Sequence, residues 1–294
     1  AYLIRDEKTA LIDTVKAPYA ADLLAHVSEL IDPTRIDYVV VNHAEPDHAG
    51  SLSAVMAACP QATVVTNKKC REILSSYHDT SAWQFQTVGT GDTLSLGSRT
   101  LAFFETPMVH WPESMMTYVP EEKLVFSMDA FGQHYASGFR FDDESDMCEV
   151  MQEAKTYYAN IVLPYGRPVA TALKRLGGLT LKMVAPSHGV IWRDNPLQIV
   201  EKYREWAKDY QEDRIAILYD TMWEGTRTMA DSIAEGIRES GANTTVTVIN
   251  LAKTDKNDAL TEVFRSKAIL VGSPTIGRGV THATAGILEM IEGM

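Results

Sequence analysis

Cysteine is scarce and irregularly spaced in this chain of 294 residues, and its scarcity excludes two kinds of site. The three cysteines, Cys59, Cys70 and Cys148, form neither a Cys-x-x-Cys pair nor an even set. A disulfide framework and a zinc knuckle built on thiolates are therefore excluded. Small buried thiols in a reducing cytosol are the simpler interpretation, so we expect a cytoplasmic protein.

Positive charge and long apolar runs are also lacking. The chain has 27 Lys and Arg against 39 Asp and Glu, which gives a formal net charge of -12. Nucleic-acid binding requires a basic face, so this balance disfavours a nucleic-acid partner. No apolar run approaches the ~20 residues of a membrane-spanning helix. We therefore expect neither nucleic acid nor a membrane as a partner.

The order of predicted elements indicates two α/β domains, which also suits the length. Strands and helices alternate up to about residue 195, as in the buried β-branched run 36–41 after the helical spacing of 20–31. The polar stretch Gln211–Asp213 then predicts a boundary, giving domains 1–212 and 213–294.

Metal-binding side chains are unusually dense in the first predicted domain. Four of them, His43, Glu45, Asp47 and His48, fall within six positions directly after an apolar strand. Packing does not require that many ionisable groups, whereas His, Asp and Glu suit zinc, iron or manganese. His43 and Glu45 are two residues apart, so an extended loop points them the same way. Asp47 and His48 begin the next predicted helix and can face a second ion.

Three later residues can complete two metal positions. His110, Asp129 and His188 each follow an apolar strand. The two histidines can complete one position each, and the two oxygens of Asp129 can bridge metals that lie roughly 3.5–4 Å apart. His134, close to Asp129 in sequence, could support a ligand from outside the site, but an ordinary surface position is the better explanation.

The complete spacing resembles that of the flavodiiron proteins. His43-x-Glu45-x-Asp47-His48 is followed by 61 residues before His110, 18 before Asp129 and 58 before His188. The resemblance covers essentially the whole chain. It implies a metallo-β-lactamase-like αββα sandwich followed by a flavodoxin-like doubly wound domain.

The resemblance also implies how two irons would be bound. One iron would take His43, Glu45 and His110, the other would take Asp47, His48 and His188, and Asp129 would bridge them. In the hydrolases of this fold the position of Glu45 is normally a histidine. Because a carboxylate is a harder, anionic ligand, the exchange favours iron.

Two turns in the second predicted domain suggest FMN. The first, 220–226, follows a strand and opens a helix, where backbone N–H groups and a hydroxyl can hold a phosphate. It is similar to the flavodoxin phosphate loop, and 273–279 occupies the place of an isoalloxazine-contacting loop. The implied FMN-binding residues are Thr221, Met222, Gly225, Thr226, Ser273, Pro274, Thr275 and Gly277.

Both chain ends look cut, and only three strands are predicted where a flavodoxin domain has five. We therefore expect a piece of a longer protein with an incomplete FMN site. The stretches 2–5, 110–118 and 206–214 resemble those family members that carry a C-terminal rubredoxin domain.

The function implied by the resemblance is that of an oxidoreductase. Electrons from rubredoxin or a rubredoxin domain would pass through FMN to the diiron site, which would reduce nitric oxide to nitrous oxide, dioxygen to water, or both. In the family the FMN of one subunit lies near the diiron site of another, which implies a homodimer or homotetramer. Two alternatives remain open: a dizinc hydrolase of the same fold, and a non-catalytic diiron gas sensor or electron carrier.

Overall fold

The structure is a computed structural model that describes residues 1–293, and it divides into two units. The first unit consists of Ala1–Ala154 and Arg167–Arg204, and the second of Lys155–Gly166 and the chain from Glu205 onward. The polar stretch that suggested a boundary is partly strand, because the first strand of the second unit begins at Glu212.

The first unit contains two five-stranded sheets. The first sheet has the order β1-β2-β3-β4-β5, in which only the β1–β2 pair is antiparallel. Its strands are β1 (Tyr2–Arg5), β2 (Thr9–Ile12), β3 (Tyr38–Val40), β4 (Thr63–Thr66) and β5 (Gln84–Thr87). The second sheet has the order β10-β9-β8-β7-β6, in which only β10–β9 is parallel. Its strands are β6 (Thr93–Ser95), β7 (Thr100–Glu105), β8 (Met115–Val119), β9 (Leu124–Met128) and β10 (Met183–Pro186).

Alternating side chains of the first sheet build two cores. Ile12, Val40 and Val65 pack against Phe103 and Phe126 of the second sheet. Their neighbours along the strands point to the opposite face and pack against helices, in the cluster that includes Leu11, Val39, Val64, Val27, Leu52 and Leu74. The sheets therefore lie face to face, with helices covering the outside of the first sheet. Those helices are α1 (Ala20–Leu30), α2 (Pro46–Ala49), α3 (Leu52–Ala58) and α4 (Lys68–Tyr77).

Two further helices, α5 (Met147–Tyr157) and α6 (Gly166–Leu176), lie between β9 and β10 in sequence, and α7 (Pro196–Trp206) follows β10. Helix α6 buries Val169, Ala172, Leu173 and Leu176, the i, i+3, i+4, i+7 spacing of one helical face. No helix within residues 1–293 is long and apolar enough to cross a membrane.

The second unit contains a parallel sheet of order β12-β11-β13. Its strands are β11 (Glu212–Tyr219), β12 (Thr245–Asn250) and β13 (Ser266–Gly272). Ile217 and Tyr219 pack against α8 (Gly225–Glu239) on one face. Ala216 and Leu218 pack on the other face against α9 (Lys256–Arg265) and α10 (His282–Glu292). Helices on both faces of a parallel sheet define a doubly wound unit.

Candidate metal centre

The seven predicted metal ligands come together at strand ends in the first unit. Four loops or helix starts supply them, following β3, β7, β9 and β10: His43, Glu45, Asp47 and His48 come after β3, His110 after β7, Asp129 after β9 and His188 after β10. Pro46 fixes the first turn of α2, since proline suits the first position of a helix, and this turn places Asp47 and His48 side by side. Ligands on loops held by a rigid sheet are typical of functional sites.

Asp129 lies at the middle of the cluster, with one oxygen toward each half. Its Oδ2 lies 3.1 Å from Nε2 of His43 and 3.0 Å from Nε2 of His110. Its Oδ1 lies 3.0 Å from Nε2 of both His48 and His188. A single carboxylate therefore faces four imidazoles, two through each oxygen.

A second carboxylate completes each half. Glu45 Oε2 lies 3.2 Å from Nε2 of both His43 and His110. Asp47 Oδ2 lies 3.2 Å from Nε2 of His188 and 3.6 Å from Nε2 of His48. We call His43, Glu45 and His110 the first set, and Asp47, His48 and His188 the second set. In each set, the ligand atoms and one Asp129 oxygen lie within 4.8 Å of one another.

The cluster is closed on one side and open on the other. His43, His48 and Asp129 are buried, whereas the side chains of Glu45 and His188 are 33% and 25% exposed. The buried members fix the positions of the ligand atoms, and the exposed members leave one side that a small molecule can reach.

Mutual hydrogen bonding shifts the pKa values within the cluster. Hydrogen bonds to His110 and His43 lower the pKa of Glu45 to about 2. Burial alone would lower the pKa of His110, but its hydrogen bonds to Asp129 and Glu45 outweigh burial and raise this pKa to about 9. The pKa of His188 is likewise raised to about 9, through Asp129 and Asp47. The metal-free cluster thus holds ionised carboxylates beside protonated imidazoles.

The loops that carry the ligands adopt unusual backbone conformations. Met108, Met128 and Phe131 have φ of 61°, 49° and 71°, although none is glycine. Such residues cost of order 1–3 kcal/mol each and cluster at functional sites. Met128 directly precedes Asp129, and its carbonyl accepts a hydrogen bond from the Ser187 N–H at 2.7 Å, which ties the ends of β9 and β10 together.

Sequence patterning misses one buried residue that contacts the cluster, Glu113. Its Oε1 lies 2.8 Å from Nδ1 of His43 and accepts a hydrogen bond from the Ala44 N–H at 3.0 Å. Glu113 lies in a loop without periodicity, and no motif in the sequence marks it. His134, in turn, is exposed, and its ring centroid lies 5.8 Å from that of His188.

The predicted FMN-binding residues lie in the second unit, after β11 and β13. These strands are parallel neighbours, with Tyr219 opposite Gly272, so the turns that follow them leave the sheet at the same edge. The central strand β11 connects to β12 on one side, and the chain then crosses to β13 on the other, so these turns flank a topological switch point.

Both turns are compact. Asp220 accepts the N–H of Thr221 at 2.8 Å, and α8 begins at Gly225 with Thr226 buried. After β13, Ser273 Oγ accepts the Thr281 N–H at 3.0 Å. Gly277 has a φ of 55°, in a tight turn closed by Ile276 and Gly279. Pro274 and Thr275 lie within this second turn, and Met222 within the first is 49% exposed.

The layered fold and the seven-ligand cluster define a binuclear metal protein with a second, doubly wound unit. Comparison with known protein families agrees with both halves: residues 1–189 match the ODP family beta lactamase, and residues 217–292 match flavodoxin. The chain belongs to the flavodiiron proteins. The predicted family and the predicted sandwich followed by a flavodoxin-like unit are thereby confirmed.

Two solved structures and one curated relative support this assignment. The rubredoxin oxygen:oxidoreductase of Desulfovibrio gigas is 39% identical, with a TM-score of 0.96, over 100% of this chain and 74% of that one. The flavodiiron protein of Giardia intestinalis is 34% identical, with a TM-score of 0.96, and the match covers 99% of this chain and 71% of that one. The anaerobic nitric oxide reductase flavorubredoxin of Salmonella arizonae is 47% identical over 100% of this chain. The chain spans 62% of the length of that relative.

Proposed function

We propose that this chain supplies a diiron centre and part of an FMN site to an oxidoreductase that reduces nitric oxide to nitrous oxide, dioxygen to water, or both. The observation that carries the proposal is the equal division of the ligands, because each set offers two imidazoles and one carboxylate and shares Asp129. Two histidines and one carboxylate with open positions are the donor set of non-haem iron.

The donor set fits metal ions better than it fits a purely structural cluster. Asp47 Oδ1 is buried without a hydrogen-bond partner among residues 1–293, which costs about 1–3 kcal/mol unless another group satisfies it. The first set would hold one iron and the second set would hold the other. Asp129 would contribute one oxygen to each iron. Iron bound there would supply the Lewis acidity and the electrons that a diatomic gas requires. The chain itself fixes the ligand geometry and leaves the side near Glu45 and His188 open.

FMN would supply the electrons that reach the metal centre. The residues that fit it are Thr221, Met222, Gly225, Thr226, Ser273, Pro274, Thr275 and Gly277, in the two turns at the switch point. The Thr221 hydroxyl supports the proposal, since it is buried without a hydrogen-bond partner within residues 1–293 and can donate to a phosphate oxygen.

The electron donor belongs to the same proposal. Two relatives carry rubredoxin in their names, as a flavorubredoxin and as a rubredoxin oxygen:oxidoreductase, which supports rubredoxin or a rubredoxin domain as donor. We further propose a cytoplasmic homodimer or homotetramer. Light scattering after size-exclusion chromatography tests the oligomer, and a monomer at micromolar concentration would contradict it.

Metal analysis and gas consumption test the activity. We would purify the full-length protein from iron-replete cells without added zinc and count iron, zinc and flavin per chain. We would then reduce it anaerobically with rubredoxin and mix it with nitric oxide or dioxygen. Two irons and repeated turnover are expected. Two zinc ions without iron would indicate a hydrolase, and a single oxidation without continuing gas consumption would indicate a carrier or sensor.

A further inference from the structure

The two sets differ in what lies behind their buried imidazoles. In the first set, Nδ1 of His43 lies 2.8 Å from Oε1 of Glu113, and both side chains are fully buried. Glu113 Oε1 also accepts the N–H of Ala44 at 3.0 Å. Because that oxygen already acts as an acceptor, His43 must donate its Nδ1 proton to it. In the neutral ring that a metal binds, the Nε2 lone pair of His43 then points toward the cluster.

The second set has no equivalent partner for its buried imidazole. Nδ1 of His48 is buried and has no hydrogen-bond partner within residues 1–293. Asp13 is a buried carboxylate that interacts with His48 electrostatically, but its hydrogen bonds go to Asn42: Oδ1 accepts the backbone N–H at 2.7 Å, and Oδ2 accepts the side-chain amide at 3.2 Å.

A carboxylate behind a metal-binding imidazole fixes its tautomer and raises its basicity toward the metal. The surroundings of His43 strengthen this effect, because the Trp111 ring packs edge-on against it at 5.2 Å and a buried hydrogen bond is electrostatically stronger than an exposed one. The first set therefore combines two effects: the imidazole of His43 is fixed in orientation, and the negative charge of Glu113 lies directly behind it.

We propose that Glu113 is a positioning residue that makes the two metal positions unequal, so that the first set binds metal more tightly and fills first. The ligand count alone predicts two equal positions, since each set has two histidines and a carboxylate. The inference rests on the proposed function only for the identity of the two sets, and it holds for any divalent ion that they bind.

Cobalt titration of the full chain tests the proposal, because Co²⁺ is spectroscopically visible and its binding does not require iron or turnover. We would compare Glu113→Gln with the parent in two backgrounds. Asp47→Asn weakens the second set and leaves the first measurable, whereas Glu45→Gln does the reverse. Glutamine keeps the size of the side chain and still accepts from Ala44, but it removes the charge.

We expect Glu113→Gln to lower the Co²⁺ affinity about 10–100-fold in the Asp47→Asn background, the usual effect of losing such a partner, and to leave it unchanged in the Glu45→Gln background. Equal weakening in both backgrounds, or no change in either, would overturn the proposal. Asp142→Asn is the matched control, since Asp142 is another buried carboxylate that accepts backbone N–H groups, those of Arg193 and Asp194. It should leave both affinities intact.

The same titration separates this proposal from the proposed function. A protein that takes up two zinc ions and reduces no gas would refute the diiron reductase, yet it would still show the background-specific effect of Glu113→Gln. Conversely, an active diiron protein with equal effects in both backgrounds would refute only the role of Glu113.

Discussion

Gly189 lies so close to Gln133 that a Cβ atom at Gly189 would overlap the side-chain amide of Gln133. The same Cβ atom would lie 2.8 Å from the backbone carbonyl oxygen of Gln133. The Gln133 amide spans the loop, accepting the Val190 N–H at 2.7 Å and donating to the Phe131 carbonyl at 2.9 Å. The Gln133 N–H also donates to the carbonyl of His188 at 3.2 Å. The position of His188 therefore depends on the absence of a side chain at Gly189.

Gly189→Ala should destabilise the first unit by about 3 kcal/mol. A positive φ, here 77°, costs about 1–2 kcal/mol for a residue with a Cβ atom, and the overlap with Gln133 adds a similar amount. We also expect loss of metal from the second set, because His188 would shift. Urea unfolding and metal analysis measure the two effects.

Gly138→Ala is the control for this substitution. Nothing lies within 4 Å of a Cβ atom at Gly138, so this variant should match the parent in stability and metal content. Equal behaviour of the two variants would contradict the role given to Gly189.

Glu45→His should move the metal preference from iron toward zinc. The substitution removes one negative charge and leaves three imidazoles in the first set, a donor combination that zinc uses readily. We expect the iron-to-zinc ratio of protein reconstituted with equal amounts of both ions to fall on the order of tenfold.

Glu122→His makes the same exchange at an exposed ion pair with Arg99 in the first unit and should leave the ratio unchanged. If Glu45→His kept the parental iron-to-zinc ratio and full reductase activity, the carboxylate would not determine the metal.

Metal binding should release protons, and the affinity should therefore depend on pH. In the metal-free protein the pKa values of His110 and His188 are raised to about 9. The pKa of His43 is also raised well above its usual value, because hydrogen bonds to Asp129, Glu113 and Glu45 outweigh burial. All three imidazoles are therefore positively charged near neutral pH. Because a metal binds only the neutral imidazole, adding Fe²⁺ or Zn²⁺ at pH 7 should release about three protons per chain from these residues. The affinity should rise with pH up to about 9 and then level off.

Calorimetry in buffers of different ionisation enthalpy counts the protons. Glu45 has a pKa near 2, so it stays ionised and contributes none. His26→Gln removes a histidine that is not part of the cluster and should not change the count. Binding without proton release at pH 7 would contradict the raised pKa values.

The ligand cluster is predictable from sequence because four of its seven ligands lie close together in the chain. His43, Glu45, Asp47 and His48 lie within six positions, and the strand ends bring Asp129 to them. Glu113 is not predictable in this way, since its contact with His43 joins residues that are 70 positions apart and depends on how two loops pack.

Strands are missed in the sequence where both faces are buried, because apolar and polar side chains then no longer alternate. All five side chains of β8, Met115–Val119, are buried, so its sequence shows no period of two. The edge strand β5, Gln84–Thr87, fails for the opposite reason, because its polar side chains resemble a loop. The π-helical turn at Tyr158–Val162 has no sequence signal that separates it from a continuing α-helix.

Glu212→Gln should destabilise the second unit by about 2 kcal/mol, because this carboxylate holds together three chain segments. Arg265 binds it through two nitrogens, at 3.0 and 2.8 Å, and Lys155 and Tyr210 reach Oε1 at 2.9 and 2.6 Å. Burial opposes ionisation, yet these hydrogen bonds outweigh it and hold the pKa of Glu212 well below its usual range.

The pH dependence of this effect has a definite sign. A carboxyl group with a lowered pKa stabilises the fold above its unfolded pKa, about 4.3 for Glu, and loses that contribution as the pH falls toward the folded pKa. The difference in unfolding free energy between the parent and Glu212→Gln should therefore be full at pH 7 and shrink below about pH 4. Asp213→Asn removes a neighbouring carboxylate whose ion pair with Lys267 is exposed. It should change neither the unfolding free energy at pH 7 nor its pH dependence measurably. A constant difference from pH 7 to pH 3 would mean that packing, and not the charge of Glu212, accounts for the loss.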